Sequence, residues 1–164
     1  MNEMTITTSS WLPEQQLILT RISGLANAQD VSKWENTLID ALDEIPDNGV
    51  FKIMMDLHGF KAENFEVHKQ FRTIIPATLV NYGWRVGYID LFPEASITLR
   101  NTRGIQCLAA VHVHQDESKI KNYDENFSRA NERFFTDPLK AREWIDAFDM
   151  DGQMVIKSVL PAAP

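Results

Sequence analysis

The spacing of hydrophobic residues along this chain changes several times, and each change predicts a new element. Val31, Trp34, Leu38, Ala41, Leu42 and Ile45 recur at three- and four-residue intervals, one apolar stripe of a helix with Asp30 as its expected N-cap. Pro46-Asp47-Asn48-Gly49 stops that helix and turns the chain. The run from Val50 to Phe60 (Val-Phe-Lys-Ile-Met-Met-Asp-Leu-His-Gly-Phe) then loses the helical period and is almost continuously apolar, the pattern of a strand covered on both faces. Ile105 to His114 repeats that pattern. Ahead of both, Thr5 to Thr8 and Leu17 to Ile22 predict two short strands around a polar turn containing Pro13, an edge hairpin.

After Gly59 a helix is expected from Ala62 or Glu63, with Val67, Phe71, Ile74, Ile75 and Leu79 inward. Pro76 within it lacks a backbone donor and crowds the carbonyl of Arg72, which predicts a kink or a helix that ends and restarts. Tyr82-Gly83 closes this segment, and Trp84 to Phe92 has the β-branched and aromatic content of a strand. Asn101-Thr102-Arg103-Gly104 reads as a turn. Asp116 is placed to cap a helix with the stripe Ile120, Tyr123, Phe127; Arg133-Phe134-Phe135 is a short strand. Thr136-Asp137-Pro138 then starts a last helix bearing Ala141, Trp144, Ile145 and Phe148. Met154 to Leu160 is either a further strand or a docked tail. A hairpin followed by alternating strands and helices predicts the α/β class: a mixed sheet of roughly four to six strands, with an N-terminal antiparallel hairpin, a parallel core and about four helices. One domain is expected over residues 1–152, followed by a tail, 153–164.

Composition narrows the functional classes. With 164 residues the chain has the size of one domain with a sizeable core. Its net charge of −7 repels phosphate backbones and anionic headgroups, so nucleic acid is not an expected partner; Arg85, Arg100, Arg103, Arg129 and Arg133 are the local exceptions. No apolar run reaches the roughly 18 residues of a membrane span, and Met1-Asn2-Glu3-Met4-Thr5 has no cationic leader, which makes the cytoplasm the expected location. The single cysteine, Cys107, lies in an apolar run and reads as a core thiol. No phosphate-binding glycine loop, Cys-x-x-Cys pair or dinucleotide fingerprint occurs, so no cofactor is predicted.

Three stretches carry a family likeness: Met55-Asp56-Leu57-His58-Gly59-Phe60, Ala109-Ala110-Val111-His112-Val113-His114, and Glu132-Arg133-Phe134-Phe135-Thr136-Asp137-Pro138 continuing into Ala141-Arg142-Glu143-Trp144-Ile145. With them, Leu17 to Phe148 resembles the SpoIIAA-like branch of the STAS family. The resemblance implies a mixed sheet with helices mainly on one face, and makes 84–104 an insertion into the minimal domain. Antagonists of the sporulation type are phosphorylated on a serine at the start of the helix after the central strand, within a motif resembling Asp-Leu-Ser-Gly followed by Asp-Ser-Ser-Gly. This chain has Asp56-Leu57-His58-Gly59 and Glu63-Asn64-Phe65-Glu66, with no hydroxyl side chain between Gly59 and Thr73, so that switch is not implied. The fold also resembles that of CRAL-TRIO lipid-exchange domains, which keeps an apolar ligand open by analogy.

In sheets with parallel strands, ligands gather beyond the carboxyl ends. Asp56 and His58 end one strand here; His112, His114 and Asp116 end the other. A metal site built on His112 and His114, an acid–base centre using His58 or His114 with a carboxylate, and a structural role are all open, with the structural role preferred. The expected function is a non-enzymatic binding module for a partner protein or small apolar ligand; the alternative is a metal-dependent or histidine-based enzyme centred on His58, His112, His114 and Asp116. Asp56, His58, Phe71, Ile75, Phe92, Leu99, Arg103, His114 and Asp116 are the predicted ligand-binding residues, with Met54 and Met55 added to the pocket lining. Phe92, followed by Pro93, is expected to mark an interface, a homodimer being one option.

Overall fold

The structure, a computed structural model, describes residues 5–88 and 99–150. β1 (Ile6–Leu12) and β2 (Leu17–Ala26) form the antiparallel hairpin, in register from Leu12↔Leu17 to Ile6↔Ser23. β1 runs past the predicted Thr5–Thr8 because its hydroxyls have partners inside the fold. Ser9 Oγ lies 2.7 Å from Thr20 Oγ1 and 2.9 Å from Thr37 Oγ1, and the buried Trp34 indole donates to Thr20 Oγ1 at 2.8 Å. α1 (Ala28–Asp43) is capped by Asn27, and Asp30 is the reciprocal member of that capping box rather than the cap itself.

β3 (Val50–Asp56) occupies the middle, parallel to β2 on one side and to β5 (Gln106–Val113) on the other. The run read as one strand to Phe60 is divided: the ladder stops at Asp56, and β4 (Phe60–Ala62) resumes it on the far part of β2. That pairing moves the next helix start to Asn64, because Glu63 N–H is already bonded to Ala26 O. α2 (Phe65–Arg72) and α3 (Ile74–Leu79) are the two halves expected around Pro76; α2 ends at Arg72, whose carbonyl the proline has no N–H to satisfy.

Trp84 to Tyr88 is not a strand, and 89–98, with Phe92, lies outside the described residues. Backbone donors in 84–88 are used elsewhere: Trp84 N–H bonds Leu79 O at the end of α3, and Gly87 N–H donates to the Glu132 carboxylate. Tyr82 forms an isolated antiparallel bridge with Asn101. α4 (Glu117–Phe127), capped by Asp116, then leads to β6 (Glu132–Phe135), parallel to β5, and to α5 (Pro138–Ala147), capped by Asp137 with proline in its first turn.

The result is the α/β class predicted: a six-stranded mixed sheet in the order β1-β2-β3-β5-β6 with β4 on β2. Trp34, Phe51, Ile53, Met55, Ile75 and Cys107 belong to the larger core, between the sheet and α1, α2 and α3. On the opposite face Ala141 and Ile145 of α5 pack on Leu17, Met54, Ala109, Val111 and Val113. Lys52, in an otherwise apolar strand, belongs to that second face. Its ammonium donates to the Ile145 carbonyl at 2.6 Å, which also accepts the Phe148 N–H at 3.2 Å, and to the carbonyls of Asp146 and Phe148 at 3.4 Å, gathering the carbonyls exposed where α5 ends. Among the described residues, no helix is long and apolar enough to cross a membrane.

Candidate functional site

Parallel pairing puts Met55 opposite His112 and Asp56 opposite Val113, so β3 and β5 end at the same edge of the sheet. The two exits are tied together by Gln115, whose side chain accepts from Gly59 N–H and donates to Phe60 O, both at 2.9 Å. Gly59 has φ +89°, and a Cβ there would sit 2.5 Å from Ser23 Oγ, so glycine alone suits this turn.

Above this edge is a cavity of about 90 Å³, its floor formed by Met55, His112 and Phe134 and its walls by Phe71 and Ile75 on one side and Ile120 and Tyr123 on the other. The helix break matters here, since the wall passes from Phe71 in α2 to Ile75 in α3 across it. The volume suits a short alkyl chain or small ring and is well below the roughly 300–1,000 Å³ of pockets for drug-sized ligands. His68, Phe71, His114 and Lys119 also line a wider groove, about 650 Å³, that runs outward past Phe60, Asn64 and Asp116. The site is therefore an apolar chamber with a polar vestibule.

The floor of the chamber is built on a buried charge. Glu132 has no solvent exposure; its carboxylate accepts from His112 Nε2 at 2.8 Å, from Arg129 Nη2 at 2.7 Å and from Gly87 N–H at 3.1 Å. Burial alone would raise this carboxyl's pKa, but the His112 bond, the charge of His112 and then Arg129 outweigh it and hold the group below its usual range. His112 is 6% exposed and stacks on Phe134 with ring centroids 4.4 Å apart, as a hydrogen-bonded core histidine would. Tyr88 meets the same histidine edge-on, and burial, with Glu132 nearby, raises its phenol well above the usual value.

At the mouth the balance is basic. The pKa of His114 is lowered to about 4, by burial first and then by Lys119, with Asp116 opposing and His58 and His68 adding to the depression. His68 is lowered by burial, then by Lys119 and Arg72, and Lys119 is lowered by its own burial against the pull of Asp116. Asp116 caps α4 through the Lys119 backbone N–H at 3.0 Å.

Of the predicted binding residues, Phe71, Ile75 and His114 meet at the chamber, and Asp116 joins them on the groove. Met55 lines the chamber too, whereas Met54 points to the α5 face, as alternation along a strand requires. Asp56 accepts from His58 N–H at 3.0 Å and lies 3.8 Å from Arg21, and His58 is exposed in the turn. Leu99 is 53% exposed and lines neither space. Arg103 sits near the start of β3, paired with Asp47 at 2.6 Å and donating to the Asp43 and Ile45 carbonyls where α1 ends. Arg129 and Arg133 are likewise paired, with Glu132 and Asp124. Among the described residues, no three metal-ligating side chains converge.

His68, Lys119 and Glu132 were missing from the sequence reading. For His68 a signal existed: His68, Phe71, Arg72 and Ile75 fall at i, i+3, i+4 and i+7, a helical face of its own beside the apolar stripe. Glu132 gave none, because an acid at the start of a short strand is normally solvated. Compared with known protein families, curated proteins and solved structures, the chain matches none of them.

Proposed function

We propose that this chain is a STAS-like, non-enzymatic binding module of the cytoplasm that takes a small ligand with an apolar portion into the chamber above β3 and β5. The chamber carries the proposal: apolar side chains from α2, α3 and α4 enclose a space at the carboxyl edge of a parallel sheet core, with His112 in its floor and His68, Arg72, His114 and Lys119 among its polar lining. The hairpin followed by alternating elements supports the STAS-like assignment. The residues after β3 argue against a phosphoswitch, since Asn64 caps α2 and Glu66 already supplies negative charge to its first turn.

The test is a titration with 1-hexanol followed by methyl NMR. Saturable shifts of the Met55, Ile75 and Ile120 methyls are expected, and those of Met55 and Ile120 should vanish in Ile75→Trp, which fills the chamber. Shifts that persist in a folded Ile75→Trp protein would remove the chamber as the binding site. A second reading, a histidine-based enzyme, draws on the buried Glu132 carboxylate that orients His112 in the chamber floor. A bound ligand recovered chemically unchanged supports the binding module; conversion that stops in His112→Asn would support the enzyme.

A further inference from the structure

We propose that the chamber's ligand is a small amphiphilic monocarboxylate, its alkyl chain inside and its carboxylate held at the mouth by His68, His114 and Lys119. This rests on the binding-module reading and adds the chemistry of the ligand's polar end. Three observations lead to it. The chamber is too small for a bulky hydrophobe but suits a short chain, and its mouth opens directly into the wider groove through side chains common to both. Those shared side chains, apart from Phe71, are two imidazoles and one ammonium, on a protein whose net charge is −7. The acid beside them, Asp116, already receives the Lys119 backbone N–H as the cap of α4, so one carboxylate oxygen is committed locally.

Electrostatics points the same way. His68, His114 and Lys119 all pay for burial in their charged forms, and each also feels a neighbouring charge: His68 that of Lys119 and Arg72, His114 that of Lys119, and Lys119 that of Asp116. An anion among them would favour every charged form at once. A neutral ligand would leave the rim as it is, and a cation would add to the repulsion. The imidazole and ammonium donors shared by chamber and groove engage an anion at single points, which a compact carboxylate satisfies; Arg72, whose fork would suit phosphate, lines the chamber but not the groove and lies over the Phe65 ring.

The probes are four six-carbon compounds, hexanoate, 1-hexanol, hexylamine and hexyl phosphate, titrated at pH 7 with the Met55, Ile75 and Ile120 methyls as reporters. Hexanoate should bind about five- to ten-fold more tightly than hexanol, the advantage of a charge-assisted hydrogen bond at a half-buried site, with hexylamine weakest. In Lys119→Gln, and again in His68→Gln, the ratio of hexanoate to hexanol affinity should fall towards one. Both side chains are partly exposed, and a thermal melt establishes that each variant is folded. Equal binding of hexanol and hexanoate would overturn the carboxylate assignment and leave the chamber reading intact. Tighter binding of hexyl phosphate, or an unchanged ratio in both folded variants, would also overturn it. Failure of all four compounds to shift the reporters would overturn both readings together.

Discussion

Replacing Glu132 by glutamine is expected to lower stability more than any surface change in this protein, and to do so in a pH-dependent way. Glutamine has nearly the same shape, so packing survives, but one oxygen acceptor becomes an NH₂ donor. It would then face His112 Nε2, now 2.8 Å from Oε2, or the Arg129 guanidinium, now 2.7 Å from Oε1. Removing one partner of a fully buried ion pair costs about 3–5 kcal/mol. Arg129 is 44% exposed, so water can recover part of its charge, and a loss of about 2–3 kcal/mol is the better expectation. For a chain of this size that corresponds to a melting temperature lower by roughly 4–12 °C. The carboxyl's folded pKa lies below its ordinary value, so its contribution is complete above the ordinary carboxylate range and is lost as pH falls through the depressed folded value. Urea unfolding of the two proteins between pH 5.5 and pH 3.5 should therefore show the gap closing towards the acid end, with ordinary carboxylates titrating at about 4.3. A variant as stable as the parent at pH 5.5, or a gap that widens through the acid range, would refute the buried pair as described.

Two further perturbations probe the other polar features. Lys52→Met keeps the buried stem but removes the donor to the Ile145, Asp146 and Phe148 carbonyls, and should cost about 1–3 kcal/mol. Faster amide exchange should be concentrated in α5, and unchanged α5 exchange would mean that Lys52 does not anchor that helix. His114, with a folded pKa of about 4, is neutral at neutral pH and should titrate near that value by NMR. Because the unfolded histidine takes up its proton first, at about 6.5, this residue should make stability fall as pH drops from there towards 4 and add no further slope below. His114→Phe should flatten that part of the profile, and an NMR midpoint at 6 or above would contradict the burial described here.

What lies within a few residues along the chain was legible before any coordinates. Asp116 and Asp137-Pro138 start helices because a side-chain acceptor and a missing N–H act on backbone next to them. Pro76 breaks its helix because the carbonyl it cannot serve is four residues back, at Arg72, where α2 ends. The two apolar runs became parallel neighbours, since strands without a polar face must be covered on both sides. Polar groups whose partners are distant in sequence gave no such local signal. Lys52, inside the apolar run, finds its acceptor in α5, 93 residues on at Ile145. Arg103 looked available for an anion until the end of α1 took its donors, and the strand predicted over Thr5 to Thr8 runs on to Leu12 once Thr20 and Thr37 come within reach of Ser9. The candidate site divides in the same way: Phe71, Ile75 and His114 were nameable from period and position, but the buried Glu132 and the basic mouth arise only from the register of β5 with β6 and the seating of α4 opposite α2. A hydrophobic residue needs only to be inside, and its spacing says so; a buried polar residue needs one particular partner, and only the folded chain brings the two together.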